Sequence, residues 1–94
     1  MSPASIDLDT GWTLDPRVAL RPEPFGALAY NFGTRRLSFL KSRTLLDVVR
    51  GLGEHPSARE ACRAAGIDAG ELPRYAMALA ALAEGGMIRA QEGA

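Results

Sequence analysis

From Gly26 to Leu40 the chain reads GALAYNFGTRRLSFL, and the alternation in this stretch constrains the fold more than any other feature. Leu28, Tyr30 and Phe32 alternate with Ala27, Ala29 and Asn31, and Leu37 and Phe39 flank Ser38. Residues two apart share one face of a strand, so a period of two predicts one strand over residues 26–32 and another over 36–40. Gly33-Thr34 between them suits a two-residue turn with positive φ at its first position. Such a turn pairs Phe32 with Arg35, Tyr30 with Leu37 and Leu28 with Phe39, placing the large apolar side chains on one face. A slip of one residue would set Tyr30 against Ser38, so the pattern specifies the register. The large-residue face is expected to pack on the core.

Upstream, Arg17-Val-Ala-Leu-Arg21 reads as a first strand that Pro22 and Pro24 bring to an end. In a three-strand meander the middle strand is central, which leaves the first strand and the one over Arg36–Leu40 as edges. Prolines blunt the first edge. The other edge contains neither proline nor glycine and is long enough to accept a fourth strand by β-augmentation.

Three helices come next. Ser42 is expected to cap the first, over about residues 43–53, whose stripe of Leu45, Val48, Val49 and Leu52 has helical spacing. The second opens on a capping box, Ser57 with Glu60, carries Ala58, Ala61, Cys62 and Ala65, and ends at Gly66. The third starts near Glu71, with Pro73 in its first turn, and stops at Gly85-Gly86. Residues 87–90 read as a last extended piece. Residues 1–16 lack sustained periodicity and are expected to be a flexible arm, with a frayed tail over 91–94 and one domain over 17–90. The predicted fold is α+β: an N-terminal three-stranded antiparallel sheet followed by three helices, winged helix-turn-helix-like.

Charge is sorted along this chain of net charge zero. Residues 17–50 hold seven bases against Glu23 and Asp47, while residues 1–16 hold Asp7, Asp9 and Asp15 and no base. The basic part is the hairpin together with the segment after it, a surface suited to acidic partners. On a helical wheel, Leu72, Tyr75, Ala76, Leu79, Leu82 and Ala83 of helix three share one arc. The opposite arc holds Arg74, Met77, Ala78, Ala81 and Glu84, so it too is mostly apolar. A helix that reads DNA presents Arg, Lys, Asn or Gln to bases and phosphates. This one does not, and Asp68, Glu71 and Glu84 would repel phosphate, so nucleic acid is not an expected partner.

Cys62 is the single cysteine and His55 the single histidine, too few ligands for a usual zinc site. Cys62 among alanines reads as a small buried hydrophobe. No nucleophile–base pair or carboxylate pair appears, so the chain is not expected to be an enzyme or to need a cofactor. No apolar run approaches the length of a membrane span, and the start does not read as a secretory signal; the expected location is cytoplasmic.

The stretch LRPEPFGALAYNFGTRRLSFLKS, followed by TLLDVV and a late LAALAEGGMI, resembles the mycofactocin-system peptide chaperones. These belong to the PqqD-like recognition elements of pathways that modify ribosomally made peptides. The resemblance covers about residues 17–89. It implies a non-catalytic protein that binds the leader of a precursor peptide as an added antiparallel strand on strand three, against helix three. It also implies presentation of that peptide to a radical S-adenosylmethionine maturase, which carries its own iron–sulfur clusters. Carried over by position, the peptide-binding residues are Arg36, Leu37, Ser38, Phe39 and Leu40 on the strand and Tyr75, Met77, Ala78, Ala81 and Leu82 on the helix. Arg35, Lys41 and Arg43 at the strand's ends would steer charge. In the register that the alternation predicts, Leu37 and Phe39 face the core and Ser38 and Leu40 the opposite side. Two other readings stand beside this one: a winged-helix DNA-binding regulator, and a homodimer using the open edge or the apolar helix; the oligomeric state expected is monomer or weak homodimer.

Overall fold

The computed structural model describes residues 6–91. In chain order its elements are β1 (Trp12–Leu14), β2 (Val18–Glu23), β3 (Gly26–Asn31), β4 (Leu37–Leu40), α1 (Arg43–Gly51), α2 (Ala58–Ala64), α3 (Leu72–Glu84) and β5 (Ile88–Ala90), with a 3-10 turn at Leu52–Glu54 after α1. β2, β3 and β4 form an antiparallel meander with β3 in the centre, and β1 pairs with β5 in a separate two-stranded sheet. The fold is α+β, a sheet followed by three helices. The N-terminal segment, expected as a loose arm, is built in: Trp12 stands opposite Ala90 in the β1–β5 pair, and Arg59 N–H donates to the Leu8 carbonyl. Residues 1–5 of the expected arm and 92–94 of the expected frayed tail lie outside the described residues, while Gln91, placed in that tail, is tied in by its N–H donating to the Gly11 carbonyl at 2.9 Å.

The register matches the alternation, with Tyr30 opposite Leu37 and Leu28 opposite Phe39. The connection does not match. Instead of a two-residue turn, residues 32–35 form a four-residue loop closed by Arg35 N–H donating to the Asn31 carbonyl at 2.7 Å. The positive φ falls on Arg35 (63°) rather than on Gly33. The Asn31 side chain builds this loop, its Oδ1 accepting from Gly33 N–H at 2.7 Å and Thr34 N–H at 3.0 Å. Two extra loop residues preserve the parity of the pairing, so the register survives although the Phe32–Arg35 pair is not made.

The larger correction concerns the faces. Ala27, Ala29, Asn31 and Leu40 are buried, whereas Phe32, Leu37 and Phe39 are exposed. The core lies on the small-residue face. The helices supply the bulk there: Leu45, Leu46, Val48 and Val49 of α1, with Leu79 and Leu82 of α3, fill the space over the sheet. Alanines on the sheet let α1 approach closely, and close packing leaves no room for a second layer of large side chains. Backbones approach closely at the edge as well, since a Cβ on Gly26 (φ +150°) would collide with the Leu40 carbonyl oxygen.

β2 also runs through Pro22 to Glu23, past its expected end. Phe32 N–H donates to the Arg17 carbonyl at 2.9 Å, which fixes the alternation of bonded pairs between β2 and β3. Pro22, opposite Ala27, is then a non-bonded position whose missing N–H would have faced the outer edge. The helix caps agree with the sequence. Ser42 Oγ accepts from Leu45 N–H, and Ser57 Oγ accepts from Glu60 N–H. At the end of α3, Gly86 (φ +79°) turns the chain so that Met87 N–H reaches the Leu82 carbonyl.

Candidate functional site

The open edge of the meander is β4. Asn31 N–H donates to the Arg36 carbonyl at 3.0 Å, so Arg36, Ser38 and Leu40 belong to the bonded positions facing β3. The N–H and C=O groups of Leu37 and Phe39 therefore point away from β3, toward the unpaired edge. Alongside that edge runs α3, and between the two lies a groove of three adjoining hollows. The central one, about 380 Å³, is lined by Ser38, Phe39, Lys41, Leu45, Ala78, Ala81 and Leu82. Toward the start of β4 it joins a hollow of about 530 Å³ that adds Arg36, Met77, Ala80 and Glu84. Toward α1 it joins one of about 350 Å³ that adds Ser42, Arg74 and Tyr75.

The groove is a consequence of residue size. Ala78 and Ala81 face β4 where larger side chains would have filled the gap. Its middle is apolar, and its ends carry Arg36, Lys41 and Arg74 against the single acid Glu84. None of these four makes an ion pair with another described residue, so the cations are available to carboxylates. A ladder of unpaired main-chain groups beside an apolar slot with basic ends can hold an extended, partly acidic peptide.

A family model, the Peptide chaperone MftB family, matches residues 11–89. The chain belongs to this family. It is 58% identical over 88 residues to the peptide chaperone MftB of Mycobacterium ulcerans (strain Agy99), covering 94% of this chain and 81% of that relative. Against the peptide chaperone MftB of Mycobacterium tuberculosis (strain ATCC 25618 / H37Rv) the identity is 54% over 85 residues, 90% of this chain and 78% of the relative. Against that of Mycolicibacterium smegmatis (strain ATCC 700084 / mc(2)155) it is 50% over 84 residues, 89% and 82%. No solved structure matches. The relatives are named for chaperoning a peptide, which is a non-catalytic role.

Cys62 is fully buried, and burial pushes its thiol pKa up, against the nearby charge of Arg59, so the reactive thiolate is disfavoured. Among the described residues no group of three or more His, Cys, Asp or Glu could hold a metal ion. No helix among them is long and apolar enough to cross a membrane.

Of the residues predicted from the sequence, the groove brings together Arg36, Ser38, Phe39, Lys41, Tyr75, Met77, Ala78, Ala81 and Leu82. Leu37 contributes its backbone to the edge, while its side chain stands on the outward face of the sheet. Leu40 contributes neither: its side chain is fully buried, and its main chain is a bonded position toward Ala27. It backs the groove. Arg35 lies in the loop and Arg43 at the start of α1, both exposed but lining none of the three hollows. Ser42, Leu45, Arg74, Ala80, Glu84 and Gly85 line the groove without having been singled out as binding residues. Arg74 and Glu84 were legible, since they lie four before Ala78 and three after Ala81 on one helix face. Leu45 carried no such signal, because its spacing marks it equally as core.

Proposed function

We propose that this chain is a non-catalytic peptide chaperone that takes the leader of a ribosomally made precursor as an extra antiparallel strand on β4. The observation that carries the reading is the unpaired edge itself, with the main-chain groups of Leu37 and Phe39 turned toward a groove walled by Ala78 and Ala81. The relatives named as peptide chaperones support a peptide as the occupant. Ladder bonds to Leu37 and Phe39 hold the peptide whatever its side chains. The apolar hollow selects an anchoring residue, and Arg36, Lys41 and Arg74 draw carboxylates to its two ends. With one side of the peptide on β4, its distal portion remains free to enter the radical S-adenosylmethionine maturase implied by the family resemblance. A DNA-binding role has no comparable support, since the exposed residues of α3 include Met77, Ala81 and Glu84.

The test is an amide-resolved NMR titration with the precursor peptide, paired with Ala81→Arg. Ala81 is exposed, so the substitution fills the groove without entering the core. In the unchanged chain the large shifts are expected on 36–40 and 77–81. In Ala81→Arg the affinity is expected to fall about tenfold or more, as for loss of a central contact. Unchanged affinity in a folded Ala81→Arg protein moves the site away from this groove.

A further inference from the structure

The inverted sheet leaves an apolar surface that meets the groove only at Phe39, which also lines the central hollow. Phe32 is 66% exposed, Phe39 57%, Leu37 53% and Phe25 46%, and all belong to the side of the sheet away from the helices. They are contiguous. The Phe25 and Phe39 rings lie 6.1 Å apart, and the Tyr30 and Phe32 rings meet edge to face at 4.9 Å. The cross-strand pairs Leu28–Phe39 and Tyr30–Leu37 join the two clusters. The exposed part amounts to on the order of 400 Å², a size at which a patch on a monomer is often functional. Packing would have allowed these side chains inside only at the expense of the close helix–sheet contact through Ala27 and Ala29. The fold instead keeps them in water.

The margin of the patch identifies what covers it. Ala19 and Arg21 of β2 share this face, and Arg35 and Lys41 stand at the two ends of the β3–β4 hairpin. Glu23 is the one acid, and Arg21 already holds it at 2.8 Å. A second copy of the chain laid on the patch would bring these bases against their own kind in either direction, which is unfavourable. A partner with an apolar centre and carboxylates opposite Arg35 and Lys41 is favoured, since Arg21 is already paired with Glu23.

We propose that the outward face of β2–β3–β4 is the docking surface for a folded protein partner that presents an apolar patch with carboxylates opposite Arg35 and Lys41. Apart from Phe39 and Lys41, which also line the groove, it lies on the opposite side of the sheet from the helices, so a partner docked there leaves the rest of the groove open to the peptide. The proposal rests on the peptide-chaperone reading for the partner's identity: the maturase that receives the peptide.

The experiment measures the affinity of the purified maturase, and separately of the precursor peptide, for the full chain and for the Phe25→Asp/Phe32→Asp double variant. Neither position lines the groove, and both are exposed, so retained peptide affinity also reports that the variant is folded. The expected result is a loss of maturase affinity of about tenfold or more with peptide affinity unchanged, and association that slows as salt is raised. Equal maturase affinity for the two proteins overturns the docking surface and leaves the peptide reading standing. A maturase that binds neither protein overturns both the surface and the maturase as partner, while peptide binding again reports independently. Dimerisation of the unchanged chain that Phe25→Asp/Phe32→Asp abolishes, seen by sedimentation, overturns it in favour of a second copy.

Discussion

Asn31 shows how much one side chain decides. It is fully buried, and every polar atom it carries has a partner: Oδ1 accepts from Gly33 and Thr34, and Nδ2 donates to the Gly86 carbonyl at 2.8 Å. One residue therefore shapes the β3–β4 loop and ties it to the end of α3, which sets the width of the groove at that end. Asn31→Ala removes these bonds and strands buried groups, and we expect a loss of roughly 3 kcal/mol in stability, read from denaturant midpoints. A loss below about 0.5 kcal/mol would mean that water replaces the side chain. Asp15 is a second such residue. Arg17 grips its carboxylate through Nε and Nη2, both at 3.1 Å, and through its backbone N–H at 2.9 Å. The side-chain hydrogen bonds first, then the backbone one, hold its pKa down from 3.8 to about 2. A carboxyl depressed on folding contributes stability above its unfolded pKa and loses it as pH falls through the folded value. Melting temperature should thus drop between about pH 4 and pH 2, and the drop should be shallower in Asp15→Asn. Parallel curves for the two proteins would contradict the assignment.

At the scale of elements, β4 differs from β2 although both are edges. β2 carries Pro22 at a position facing outward, which denies a donor to any strand that approaches. β4 carries no proline and turns the N–H and C=O groups of Leu37 and Phe39 outward. Leu37→Pro transfers the proline device from one edge to the other. Because the Leu37 N–H is not used by β3, the substitution removes a ladder bond to an incoming peptide and none within the meander. We expect peptide affinity to fall by about tenfold while the far-ultraviolet circular dichroism stays that of the unchanged chain. Retained affinity with Leu37→Pro would mean that the peptide is held by the groove side chains alone. α3 behaves as its wheel predicts, with Ala76, Leu79 and Leu82 buried and Met77, Ala81 and Glu84 exposed. It also buries Ala80, which closes the groove floor toward Gly85.

In the whole molecule, the two ends of the described chain meet: β1 pairs with β5, and the Gln91 side chain donates to the carbonyls of Trp12, Leu52 and His55. This clasp holds α3 through its C-terminal turn and so holds one wall of the groove. Features that depend on neighbours along the chain were legible in the residues themselves. The caps at Ser42 and Ser57, the glycine stop of α3, the parity that sets Tyr30 opposite Leu37, and the open edge after Arg36 are all local chemistry. The clasp was not legible, because strands of three residues separated by most of the chain carry no periodic signal. Nor was the direction in which the sheet faces. Alternation divides Leu28, Tyr30, Leu37 and Phe39 from Ala27, Ala29, Ser38 and Leu40, but two faces of a strand are symmetric with respect to period. Packing between elements far apart in the chain chooses the face that the helices cover. Here the helices bring the large side chains, the sheet answers with alanines so that α1 can come close, and the aromatic face is left outward.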